Sequence, residues 1–209
     1  MSVRTSELPT VPTRRDDVAR NIAVGTRLWA GATAFFFFGP FFAYFYLRSL
    51  NTAGMWRPAH VDPPQGLGVA IIVLVVVAAV AVVLSSRSAG TARDRAWRPL
   101  LTVAVVLGLV AVVLQGIEYA RLGFGPTDGS YASVFACWTG LNALFVFGTA
   151  LWTETLLAYG IRTRSQAPTP VDDPDSPHAH IQPRLAALAF DWAYLAGLSV
   201  VMWAVLYLV

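Results

Sequence analysis

Gln115, Glu118 and Tyr119 stand at positions i, i+3 and i+4 of an apolar run, so a helix sets all three on one face. An amide, a carboxylate and a phenol so spaced make a hydrogen-bonding cluster. A carboxylate at membrane depth is costly unless it is paired or wetted. Two uses stay open for Glu118: an interfacial acid bonded to Arg121 or to a loop, or a clamp between helices or subunits. The next polar set is Thr139, Asn142, Thr149, Thr153 and Glu154. Asn142 falls near the middle of its run and is expected to bond across helices. Gly140 and Gly148 are small enough to admit a neighbouring helix. Glu154 reads as an interfacial acid facing Arg162, with a proton relay as the alternative. Asp191 and Trp192 lie in the first two turns of the last apolar run, where the helix dipole favours an acid without any functional role.

The residues that hold metals and cofactors are placed elsewhere. His60, His178 and His180 all fall between the apolar runs, and beyond the first residue the methionines are Met55 and Met202. A membrane haem needs axial His, Met or Cys ligands, and a correctly placed pair is not present. Copper and zinc face the same shortage. Cys137 is a lone thiol, expected to act as a small apolar filler. No P-loop, nucleophile elbow, CxxC or HExxH occurs. We therefore expect no catalytic, cofactor-binding or metal-binding residue in this chain, and Gln115, Glu118, Tyr119, Thr139, Gly140, Asn142, Gly148, Trp29 and Trp192 are candidates for subunit or lipid packing.

Five apolar stretches must position these groups: Thr26–Leu47, Leu67–Leu84, Leu100–Gly116, Ser133–Tyr159 and Leu185–Val209. Each reaches or approaches the roughly 20 residues that cross about 30 Å of hydrocarbon. Hydrophobic residues make up 56% of the chain and charged residues 13%, which excludes an ordinary soluble domain. The expected fold is an all-α, five-helix membrane bundle. The chain has no lysine, and its arginines alternate by connection. Arg4, Arg14, Arg15, Arg20 and Arg27 flank the first stretch. Arg87, Arg93, Arg95 and Arg98 lie in the second connection, and Arg162, Arg164 and Arg184 in the fourth. Only Arg48, Arg57 and Arg121 face the other way. The positive-inside bias predicts a cytoplasmic N-terminus and an outer C-terminus. It also explains the basic charge without nucleic acid as a partner. Residues 1–22 lack an apolar core and read as a disordered cytoplasmic tail rather than a cleavable signal. Residues 23–162 then hold four transmembrane helices. The Pro-, Asp- and His-rich segment 163–184 is an expected disordered linker, and 185–209 the fifth helix. Pro40 after Gly39 predicts a kink in the first helix. Trp56 reads as an interfacial anchor in the outer loop.

Several of these segments resemble subunit III of cytochrome c oxidase, in the haem–copper oxidase family. The similarity starts at Val24-Gly25-Thr26 with Trp29, and continues through Phe36-Phe37, Gly39, Phe41, Tyr44-Phe45 and Arg48. Trp56 with Pro58 fits the family's Trp-Pro turn. Gln115…Glu118-Tyr119 resembles its Gln-x-x-Glu-Tyr/Trp helix end. Tyr131, Ser133-Val134-Phe135, Thr139-Gly140, Leu144, Val146 and Gly148 resemble the helix that follows, and Trp192 and Tyr194 remain in the last. The resemblance covers residues 22–209, and the five spans match the family's short bacterial form. Thr33 stands where the family carries a membrane carboxylate. Asn142 and Phe145 stand for its paired histidines, and Ala193 and Ala196 for its last-span His and Asp; Glu118 is the motif carboxylate retained.

The resemblance implies an accessory subunit without a redox centre. It would sit in a bacterial plasma membrane, packed beside catalytic subunits I and II with phospholipid between helices, supporting stability and proton uptake. Haem and copper would belong to the partner subunit. A nitric oxide reductase is an alternative host for the same family. A small five-helix transporter and an unrelated membrane scaffold stay open as other classes, although no internal repeat favours a transporter.

Overall fold

In hydrocarbon every backbone N–H and C=O must find its partner within the segment, so apolar runs of this length fold as helices. A computed structural model describes residues 14–51, 56–58, 61–89, 96–164 and 177–208. Five helices follow in order: α1 (Arg14–Ser49), α2 (Gln65–Ser88), α3 (Trp97–Arg121), α4 (Ser130–Arg164) and α5 (Pro177–Trp203). A π-helical turn, Ala204–Leu208, continues α5. All five are long and apolar enough to cross a membrane, and no strand occurs among the described residues.

Two boundaries differ from expectation. α1 begins at Arg14, so residues 14–22 are helical rather than a tail. An Arg20–Asp17 ion pair at 2.7 Å, three residues apart, supports that early turn. Residues 1–13 lie outside the described residues. α5 begins at Pro177 rather than near Leu185, because proline is well suited to a first helical position. His178 and His180 therefore fall in its first turn. The remainder of the expected linker, residues 165–176, lies outside the described residues.

α2 packs on α3 and α5, α3 on α4, and α1 leans on α4 and α5. Between α2 and α3 the Ser85 hydroxyl donates to the Trp97 carbonyl at 2.9 Å, closing the hairpin. The Trp97 ring presses on Gly160 of α4, where a methyl group would collide with it. Gly108 of α3 similarly faces the Trp192 ring, 2.9 Å from where a Cβ would stand. These glycines set the distances between helix axes. Phe35, Phe38, Phe42 and Tyr46 of α1 point out of the bundle, as suits a helix in hydrocarbon or against another protein.

Trp56 is buried rather than interfacial. Its ring meets Tyr44 of α1 and Tyr131 of α4 edge-on, with centroids 5.1 and 5.8 Å away. Its carbonyl accepts the Tyr131 N–H at 3.1 Å, and its own N–H donates to Asn51 Oδ1 at 3.0 Å. Arg57 covers the other side of this cluster, 4.7 Å from the Tyr131 ring centroid and 2.6 Å from Asp62. An edge-to-face aromatic column thus pins the α1–α2 connection onto α4.

Candidate functional site

The helical spacing of Gln115, Glu118 and Tyr119 is realised at the end of α3, and the three side chains divide their work. Glu118 is fully buried, at 0% exposure. Gln115 donates its amide to Glu118 Oε2 at 2.6 Å. The Tyr207 hydroxyl, from the π-helical turn, donates to Oε1 at 2.6 Å. Both carboxylate oxygens are therefore occupied within the bundle. Arg121 is not the partner that the sequence left open; the bond runs across to the last helix and makes Glu118 an interhelical clamp. Tyr119 turns instead toward α4, with its hydroxyl 2.7 Å from Thr139 Oγ1 and 3.0 Å from the Ala136 carbonyl. Thr139 also donates to the Phe135 carbonyl at 2.7 Å. Gly140 leaves room for this contact, since a Cβ there would lie 3.1 Å from the Tyr119 oxygen.

The Tyr207 ring is held from three sides. It lies 5.7 Å from the Phe135 ring and 6.2 Å from the Trp203 ring, centroid to centroid. Gly68 of α2 faces it so closely that an added Cβ would come within 2.6 Å of its carbons. Next to it the Tyr131 hydroxyl donates to the Leu206 carbonyl at 2.6 Å. A π turn widens the backbone ring and frees carbonyls from the α pattern, and Tyr131 satisfies one of them.

A second polar layer lies deeper. Asn142 is buried, and its Oδ1 accepts from Ser199 of α5 at 2.6 Å. Trp192 is buried as well; its indole N–H donates to Thr153 Oγ1 at 2.8 Å, and Thr153 donates to the Thr149 carbonyl at 2.7 Å. Thr149 donates its hydroxyl to Asp191 Oδ2 at 3.1 Å.

The dipole explanation of Asp191 does not hold. With α5 starting at Pro177, Asp191 lies about four turns inside the helix. It is 4% exposed, and its carboxyl accepts from Thr149 of α4. Sequence reading missed it because the helix start was set too late. It missed Tyr207 and Ser199 because nothing local marks a partner dozens of residues away.

Other candidates have simpler places. Gly148 faces open space, and no side chain lies within 4 Å of an added Cβ. Trp29 is half-exposed beside Phe145, with centroids 6.2 Å apart. Glu154 and Cys137 are exposed on α4. Thr33 is buried with its hydroxyl unpaired. Among the described residues no three His, Cys, Asp or Glu side chains group together as metal ligands.

Residues 9–162 match a family model described as cytochrome c oxidase subunit III. Among curated relatives, cytochrome c oxidase subunit 3 of Gallus gallus is 30% identical over 146 residues, 67% of this chain and 56% of that protein. The Struthio camelus protein of the same name is 28% identical over the same shares. The Mus musculus protein is 28% identical over 134 residues, 62% of this chain and 51% of that protein. The chain thus spans about half the length of the curated relatives it matches. The segment that the family model matches ends at 162, before α5, so Asp191, Trp192, Ser199 and Tyr207 all lie beyond it.

Proposed function

This chain belongs to the cytochrome c oxidase subunit III family, and on that premise we propose that it is an accessory, non-redox subunit of a haem–copper terminal oxidase in a bacterial plasma membrane. It packs beside catalytic subunits I and II, which hold the haem and copper. Its N-terminus faces the cytoplasm and its C-terminus the outside, as the arginine distribution favours.

The observation that carries this reading is how Glu118 is used. The family motif's retained acid has both oxygens engaged by Gln115 and Tyr207 and no exposure. A carboxylate so enclosed holds helices together. It is closed off from the surface, and buried hydrogen-bonded networks of this sort rigidify and specify one packing. Rigidity is what a supporting subunit contributes: it presents fixed outer faces, such as the phenylalanine-rich side of α1, to protein and phospholipid.

The test is affinity purification of the chain in mild detergent, with optical spectra and mass analysis of what accompanies it. A haem-bearing partner that reduces oxygen is the expected result. A partner that reduces nitric oxide instead would move the chain to the other enzyme class. A preparation without any haem protein, but with substrate flux in liposomes, would replace the reading with a transporter.

A further inference from the structure

The spans leave uncovered sides, and composition separates them. The outward residues of α2 and α3 are branched and apolar, among them Val73, Val77 and Val80, then Val106, Val110 and Val113. Such faces suit acyl chains. α4 differs. Its exposed residues Cys137, Leu144, Phe147, Leu151, Glu154 and Ile161 fall at steps of three, four and seven, in register with a seven-residue repeat. That register keeps one stripe turned toward a second helix crossing at roughly 20°. Beside the stripe Gly148 is exposed and has no neighbour within 4 Å of an added Cβ, which admits another helix at close range.

The same stripe carries an acid without a partner. Glu154 makes no hydrogen bond or ion pair with a described residue. The surface acids Asp17 and Asp62, in contrast, each hold an arginine. Side chains on a helix meet at spacings of three and four. Around Glu154 those places hold Ala150, Leu151, Leu157 and Ala158, none of which can donate from its side chain. Arg162, which the sequence offered as a partner, stands eight residues on, about 12 Å further along the axis.

Depth and direction narrow what meets this acid. The α4 span Ser130–Arg162 has 33 residues, so Glu154 lies about 12 Å from its middle. Centred on about 30 Å of hydrocarbon, Glu154 falls about 3 Å inside the nearer polar boundary. That boundary is the C-terminal one. Cβ atoms tilt toward the helix N-terminus, so the carboxyl group is carried deeper rather than out to water. This holds whichever way the chain crosses the membrane. Acids inside spans are stabilised by pairing, and the outward side of α4 leaves that pairing to another molecule. A lipid amine stays with its headgroup at the boundary, whereas a spanning helix can present a side chain at this depth.

We propose that the exposed stripe of α4 is a docking seam for a membrane-spanning helix of another protein, and that this helix presents a lysine or arginine to Glu154. Leu144, Phe147 and Leu151 pack into the partner, and the ion pair fixes its register. The valine faces of α2 and α3 are left to lipid. Arg27 of a second copy is also exposed, but α4 against α1 is a head-to-tail contact that leaves one seam unfilled in a pair. The proposal deepens the accessory-subunit reading and rests on it for the existence of a partner.

The test places photoreactive benzoylphenylalanine at Leu151 of the full chain, in the membranes of the cells that make it, with Val110 of α3 as the comparison. Adducts are identified by mass spectrometry. Leu151 is expected to capture a peptide of another membrane protein whose spanning segment contains lysine or arginine, and Val110 to capture lipid. Glu154→Lys lowers the protein adduct about tenfold or more, because like charges then meet in the seam. A glutamate in place of the partner's basic residue restores it. Lipid adducts alone at Leu151 overturn the proposal, as does capture of a second copy or of a segment without a basic residue. So does an unchanged yield in Glu154→Lys. A haem protein that still co-purifies in those cases leaves the accessory-subunit reading in place, whereas a basic partner helix from a protein without haem removes that reading and keeps the seam.

Discussion

Tyr207 donates its hydroxyl to Glu118 at 2.6 Å, and Gly68 is the residue that lets it stand there. One phenol thereby joins α2, α3 and the π turn after α5, while its ring meets Phe135 of α4. Tyr207→Phe deletes the donor and leaves Glu118 Oε1 without a partner in a closed site. Leaving a buried acceptor without its partner costs about 1–3 kcal/mol, so thermal unfolding in detergent is expected to show a loss of that order. An unchanged unfolding midpoint would mean that water replaces the phenol.

The three tight glycines and Gly148 form a matched set. A methyl group at Gly68, Gly108 or Gly160 meets the ring of Tyr207, Trp192 or Trp97. Overpacking of this kind costs about 1–3 kcal/mol. Gly148→Ala meets nothing within 4 Å and is expected to be neutral or slightly stabilising, since alanine favours the helix. Comparing the four alanine variants by thermal unfolding checks the assignment. A cost at Gly148 equal to that at Gly160 contradicts it.

Asn142→Leu is expected to be mild. The bond from Ser199 to Asn142 is short, but Ser199 also reaches the Leu195 carbonyl at 2.8 Å and stays satisfied without the amide. Interhelical polar bonds in membranes average about 0.6 kcal/mol. Detergent unfolding should shift by less than about 1 kcal/mol, and a larger loss would show that Asn142 holds more than Ser199.

Trp56→Ala is expected to be severe, unlike the loss of an interfacial anchor. The ring fills a buried place between Tyr44 and Tyr131. Truncating a buried aromatic costs about 3–5 kcal/mol. Limited proteolysis of the 50–64 connection should accelerate in the variant, and an unchanged cleavage rate would return Trp56 to the lipid interface.

The spans were legible because about 20 apolar residues in a row have one stable solution in hydrocarbon. Their ends were not. Arg14 and Pro177 begin helices inside polar sequence, where capping and local pairs decide rather than hydropathy. The single face shared by Gln115, Glu118 and Tyr119 followed from helical geometry. Its completion by Tyr207 did not, because the partner comes from a distant turn with π geometry. Asp191 was misjudged for a related reason: its burial depends on how α1 and α4 approach α5, which no spacing within one helix encodes. Gly148 and Gly160 look alike in sequence, and only the position of Trp97 distinguishes them.

The central claim is that Glu118 maintains packing and takes no part in redox chemistry. Glu118→Ala, made in the complex that the chain purifies with, tests it most directly when subunit retention and the partner's haem spectrum are read on the same sample. The account predicts weakened retention of this chain, or a lower unfolding midpoint, with the haem spectrum unchanged. Loss of haem while the variant stays fully bound would contradict it.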